Sequence, residues 1–138
     1  MNSAILLDTC AAIWLVNNEP LKQSAVDAMD RSFDLGVALR VSPISAWEVG
    51  NLGRVGRFKS ALSPQRWFER LQAIPGIQLC ELTGDILLES SFLPGRIHKD
   101  PGDRIIAATA REFGYTVMTR DRALLDYGRD GHLSVLEC

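Results

Sequence analysis

Soft metal-binding chemistry is scarce in this chain of 138 residues, which holds two histidines and three cysteines. Cys10, Cys80 and Cys138 are odd in number, widely spaced and without a Cys-x-x-Cys pair. That set argues against a disulfide scaffold or a zinc knuckle and fits a reducing cytoplasm, the expected location. Long apolar runs are missing, so no segment reaches membrane-spanning length. The start, Met1-Asn2-Ser3-Ala4-Ile5-Leu6-Leu7, has no basic region and meets Asp8 too early for a secretion signal. There is no Gly-x-x-x-x-Gly-Lys-Ser/Thr loop and no Gly-x-Gly-x-x-Gly fingerprint, which argues against nucleoside triphosphate chemistry. A surplus of positive charge is absent as well, the formal net charge being -2. Any contact with nucleic acid must then come from a local basic patch offsetting an acidic site. Repeats, low-complexity tracts and linker-like stretches are not seen.

What is present reads as one domain over residues 1–138, long enough to bury a real core. Hydrophobic residues make up 46% and charged residues 23%, too apolar for a disordered chain. Ala4 to Leu7 is a short continuous apolar run, the pattern of a strand buried on both faces. A helix follows with Ala11, Ala12, Trp14, Leu15 and Val16, and then a loop, Asn17-Asn18-Glu19-Pro20. Leu21 to about Phe33 reads as helix and Val37 to Val41 as strand. Ser42-Pro43 pairs a capping residue with proline at a helix start, and Ile44, Trp47, Leu52 and Val55 share an apolar face. Trp47, Trp67 and Phe68 are expected in the core. Ser63-Pro64 opens a further helix, Pro75-Gly76 breaks it, and Ile77 to Leu82 is a strand. Thr83 caps a helix from Asp85 to Phe92. After a helix ending at Gly114 come a strand Tyr115–Met118, a helix or turn Arg122–Tyr127, a loop Gly128–Gly131 and a strand Leu133–Leu136. This alternation indicates an α/β sandwich around a mainly parallel sheet.

The acids recur at the mouths of these elements. Asp8 follows the first strand, and Asp121 follows a late one in Thr119-Arg120-Asp121. Glu48 stands in the helix after the second strand. Asp103 falls in the first turn of a helix begun by Asp100-Pro101, where Asp100 is the cap and the dipole favours an anion. Each acid alone reads equally as a cap or a solvated flank. Together, in a parallel sheet with right-handed crossovers, they share the carboxyl edge where ligands bind. Four carboxylates there repel unless a cation compensates, and a hard divalent ion with oxygen ligands, Mg²⁺ or Mn²⁺, is the economical one. No histidine or cysteine occupies these positions, against zinc. Such a centre suits phosphodiester hydrolysis, with Arg54, Arg57, Lys59, Arg96, Lys99 and Arg120 available to neutralise a polyanion. Glycines at 50, 53 and 56 weaken the helix that leads to Arg57. A solvated helix end and a flexible basic flap both remain open there.

With these residues assembled, the chain resembles the PIN-domain ribonucleases, and among them the VapC-like toxins of type II toxin–antitoxin pairs. The matching segments are Leu6-Leu7-Asp8-Thr9, Ser42-Pro43-Ile44-Ser45-Ala46-Trp47-Glu48-Val49 with Gly56-Arg57, His98-Lys99-Asp100-Pro101-Gly102-Asp103-Arg104-Ile105-Ile106-Ala107-Ala108, and Thr119-Arg120-Asp121 with Tyr127. They follow the family's order across nearly the whole chain. The resemblance implies a PIN-like α/β/α sandwich with a mainly parallel central sheet. It implies a Mg²⁺- or Mn²⁺-dependent endoribonuclease toxin in which a metal-activated water attacks RNA. The expected assembly is a cytoplasmic homodimer held inactive by a cognate antitoxin, with no membrane association. Carried over, Asp8, Glu48, Asp103 and Asp121 are the catalytic, metal-binding acids. Thr9 and Thr119 support them, Asp100 caps, and Arg104 orients an acid or touches substrate. Gly102 departs from the bulkier residue common at that position, which loosens the helix start without removing a ligand.

Two other classes compete. A phosphatase or phosphotransfer enzyme would use Asp8 as nucleophile, but Leu7-Asp8-Thr9-Cys10 lacks the second aspartate two residues on. A catalytically inactive PIN fold binding RNA or protein would gain nothing from four acids around a polyanion.

Overall fold

The computed structural model describes residues 3–97 and 99–138. Met1, Asn2 and the motif residue His98 lie outside the described residues. In order, the elements are β1 (Ile5–Leu7), α1 (Thr9–Val16), α2 (Gln23–Asp34), β2 (Leu39–Val41), α3 (Ile44–Arg54) and α4 (Pro64–Ala73). Then come β3 (Ile77–Leu79), α5 (Gly84–Ser90), α6 (Pro101–Phe113), β4 (Thr116–Thr119), α7 (Arg122–Arg129) and β5 (Ser134–Glu137). Among the described residues the strands form one sheet in the order β3-β2-β1-β4-β5, and every pairing is parallel.

Side-chain alternation along the short strands explains the three layers. Ile5 and Leu7 of β1 and Met118 of β4 face a core completed by Ala11, Ala12, Ala25, Trp67 and Leu71. Leu6 and Val117, one residue out of phase, face a second core of Ile44, Ile106, Ala107, Ala110, Leu124 and Tyr127. Successive residues of a strand point to opposite faces, so a strand with no polar position must be covered on both sides. Leu6 and Leu7 are both fully buried.

The order of the strands decides where a ligand can go. The chain runs from β1 outward through β2 to β3, then returns to the other side of β1 for β4 and β5. Its direction reverses between β1 and β4, and the crevice beyond their carboxyl ends is the switch point where open parallel sheets bind ligands.

Several boundaries differ from the sequence expectation. The strand begun at Val37 starts at Leu39, because Val37 N–H is taken by the Ser32 carbonyl at the end of α2. Ile77 to Leu82 pairs only to Leu79 as strand, since β3 is an edge with β2 as its single neighbour. Gly128 falls inside α7 rather than in a loop, and β5 is shifted by one residue. Pro43 stands at the cap position of α3 rather than inside it, and Ser42 Oγ accepts from Ile44 N–H at 3.1 Å. The glycines of α3 do not break it. An added Cβ at Gly53 would stand 2.7 Å from Pro64 Cγ, so the glycine lets α3 and α4 approach.

Candidate active site

Asp100 caps α6 as its sequence suggests. Its Oδ1 accepts from Asp103 N–H at 3.1 Å, Pro101 follows, and Gly114 closes the far end with φ 72°. The cap sets the first turn of α6 beside the switch point. Asp8 and Asp121 are themselves caps. Asp8 Oδ1 accepts from Ala11 N–H at 2.8 Å and Asp121 Oδ2 from Leu124 N–H at 2.9 Å. Each gives one carboxylate oxygen to its own helix, so the capping bond does not take up the whole carboxylate.

The four acids come together. Asp8, Glu48, Asp103 and Asp121 all line a single cleft of about 710 Å³. Thr9, Cys10, Asp100, Trp14, Trp47, Arg54, Arg57 and Arg120 also line it. Two threonine hydroxyls hold the acids. Thr119 Oγ1 donates to Asp8 Oδ2 at 2.5 Å and accepts from Asp121 N–H at 3.0 Å. Thr9 Oγ1 donates to Glu48 Oε1 at 2.5 Å and also bonds Ser45 Oγ at 2.8 Å. Ser45 was not singled out from the sequence. Its signal is its place one turn before Glu48, on the same face of α3.

Burial dominates the electrostatics. Asp8 is 3% exposed and its pKa is raised by desolvation, the bonds from Thr119 and Ala11 opposing the rise and the charge of Asp121 adding to it. The Glu48 carboxyl is raised as well, by desolvation first, against the Thr9 bond and with the charges of Asp100 and Asp8. The Cys10 thiol reports the field of the whole cluster. Desolvation pushes it up to about 12, and Asp8, Asp103, Glu48 and Asp121 all add to the shift. Such a field favours the neutral thiol.

This donor set fits a hard divalent cation. It consists of carboxylate and hydroxyl oxygens, and burial raises two of its acids, Asp8 and Glu48, in spite of the hydrogen bonds they accept and of Arg120 near Asp8, a desolvation that a bound cation would offset. Among the described residues no three acidic, histidine or cysteine side chains stand close enough to form a finished metal cage. Asp8 and Glu48 are each held by a threonine hydroxyl, Thr119 and Thr9.

The other nominated residues divide. Arg54, Arg57 and Arg120 line the cleft, and Arg120 stacks 4.0 Å above the Trp14 ring while bonding the carbonyls of Pro20 and Cys138. Lys59, Arg96 and Lys99 are exposed but do not line it. Arg104 does not line it either. Its Nε donates to the Ser90 carbonyl at 2.8 Å, tying the end of α5 to α6. Tyr127 is buried, and its hydroxyl donates to the Pro94 carbonyl, fastening the loop before α6. Trp47 corrects the expectation of burial. It is 56% exposed because Ile44, Ser45 and Val49 form the inward face of α3. Trp67, by contrast, is fully buried. The three cysteines are free thiols, two of them buried. No helix is long and apolar enough to cross a membrane among the described residues.

A doubly covered parallel sheet with an acidic cleft at its switch point defines the class of protein. The chain belongs to the PIN domain family, which it matches over residues 5–130. It is similar to Ribonuclease VapC22 of Mycobacterium tuberculosis, with 31% identity over 124 residues, 88% of this chain and 90% of that protein. Its fold is similar to solved structures that include the following two. One is VapBC2 from Rickettsia felis bound to a promoter DNA fragment, with TM-score 0.67 and 15% identity over 97% of this chain and 98% of that chain. The other is DNA-bound VapBC from Salmonella typhimurium, with TM-score 0.66 and 18% identity over 98% of each chain. At those identities the likeness establishes the fold.

Proposed function

We propose that this protein is a divalent-metal-dependent endoribonuclease acting as the toxin of a type II toxin–antitoxin pair. The observation that carries the reading is that Asp8, Glu48, Asp103 and Asp121, from four separate elements, line one cleft at the switch point. The relative named a ribonuclease and the folds solved as VapBC complexes support the substrate and the antitoxin partner.

In this reading Asp8, Glu48, Asp103 and Asp121 hold Mg²⁺ or Mn²⁺. When bound, the ion polarises a phosphoryl oxygen and acidifies a water. The chain's own residues do the rest. Thr119 and Thr9 fix one oxygen each of Asp8 and Glu48, leaving the acids pre-aimed at low entropic cost. Arg54 and Arg57 draw the RNA backbone to the rim, and Arg120, steadied on Trp14, adds positive charge near Asp8. Exposed Trp47, on the same rim, offers a face on which a base of single-stranded RNA can stack. A homodimer belongs to the same reading.

The test is purification free of antitoxin, then mapping of RNA cleavage ends with Mn²⁺ present and with chelator. Cleavage leaving 5′-phosphate and 3′-hydroxyl ends only with the ion is expected. Undiminished cleavage by folded Asp103→Asn would sink the site assignment. A trapped phosphoaspartate at Asp8 would favour the phosphatase reading, and metal-independent RNA binding without cleavage the inactive module.

A further inference from the structure

Gly102 is the second residue of α6, and its backbone does not need glycine. Its φ is not in the left-handed region, and it is buried. A glycine inside a helix is less favourable than alanine. The reason for it lies across the cleft. A Cβ built at Gly102 would stand 2.3 Å from both Cδ and Oε2 of Glu48 and 2.6 Å from Oε1. All three distances are far inside van der Waals contact. The whole carboxyl group of Glu48 therefore occupies the space that any other residue's side chain would fill.

We infer that Gly102 is a positioning residue for Glu48: the missing side chain is a seat that sets the carboxyl of α3 against the first turn of α6. The seat works with Thr9, which donates to Glu48 Oε1, and Ser45, which holds Thr9. These contacts pin the carboxyl from two sides, α1 and α6. The amino end of α6 favours the anion, while Asp100 and Asp8 repel it. Seating is what keeps Glu48 near them in spite of that repulsion. A methyl at 102 does not need to unfold anything. It displaces the end of a flexible side chain, breaks the Thr9 bond and swings Glu48 away from the other acids.

The inference rests on Glu48 being a metal-facing acid only for its consequence, not for the seat itself, and the test separates the two. Thermal midpoints in chelator are measured for wild type, Gly102→Ala, Glu48→Ala and the double variant. The shift caused by Gly102→Ala is expected to differ between the two backgrounds by about 3 °C or more, since the three atoms nearest the added methyl all belong to the Glu48 carboxyl and are gone in Glu48→Ala. If Gly102→Ala folds only when Glu48 is also replaced, that is the same coupling. In parallel, calorimetry with Mn²⁺ is expected to show at least about tenfold weaker binding for Gly102→Ala and no further loss when it is added to Glu48→Ala. Equal midpoint shifts in both backgrounds overturn the seat. Weaker Mn²⁺ binding in Glu48→Ala but wild-type binding in Gly102→Ala also overturns it, because a displaced Glu48 would then serve equally well. Coupled midpoints with Mn²⁺ binding unaffected by either substitution support the seat and overturn the cation reading of Glu48.

Discussion

Asp8 and Thr119 stand 111 residues apart in sequence and share a 2.5 Å hydrogen bond, Oγ1 to Oδ2, across the carboxyl ends of the neighbouring strands β1 and β4. The same hydroxyl accepts from Asp121 N–H, so one fully buried threonine links two acids of the cleft. The bond keeps the Asp8 carboxyl from rising as far as burial alone would drive it.

Thr119→Val keeps the shape of the side chain and removes that link. Asp8 Oδ2 is then left buried without this partner, at a cost of about 1–3 kcal/mol. A lower denaturation midpoint and an acid limb of the pH–rate profile displaced to higher pH are expected. An unchanged acid limb would mean that the hydroxyl does not govern Asp8.

The pH dependence of stability follows from Asp8 and Glu48, both raised chiefly by burial. Each binds its proton more tightly folded than unfolded. Their contribution is therefore fully present below the ordinary values of 3.8 and 4.5 and is lost as pH climbs through the raised folded values. Glu137, held low by Lys22, works in the opposite sense and cancels when two variants are compared. In chelator, Glu48→Gln should gain on wild type in thermal midpoint as pH rises from about 4.5 toward neutrality. A variant that instead loses ground to wild type over that range would reverse the sign assigned here.

Asp100 and Asp103 are neighbours in one helical turn with different work. Asp100→Ala removes a cap and should cost roughly 1 kcal/mol. Asp103→Ala should keep the melting curve near wild type, or raise it in metal-free protein, and abolish metal-dependent RNA cleavage. Circular dichroism melts beside cleavage assays distinguish them.

The tryptophans give the sharpest contrast. Trp67 is fully buried between Phe58 and Phe68, and its replacement by alanine should cost about 3–5 kcal/mol. Trp47→Ala should change stability by no more than about 0.5 kcal/mol. It should raise KM for RNA several-fold with kcat little changed, and Trp47→Phe should restore much of the loss. Wild-type KM in Trp47→Ala, together with lost antitoxin binding, would reassign the residue to the protein partner.

Much of this was written locally. Apolar runs without alternation dictated a sheet covered on both faces, and Asp100-Pro101 and Ser63-Pro64 dictated helix starts, because cap chemistry acts within three or four residues. The positions of the acids relative to strand ends were legible for the same reason. Tertiary structure alone decided which long-range partner each side chain takes. Helical spacing put Trp47 with Ile44 on one face, but the packing of α3 turned Ile44, Ser45 and Val49 inward and left the indole outside. Arg104 followed the acids in the motif, yet the Ser90 carbonyl claims it. Thr119 with Asp8, and Gly102 with Glu48, exist only once distant elements are laid side by side, since no local rule measures the distance between two helices.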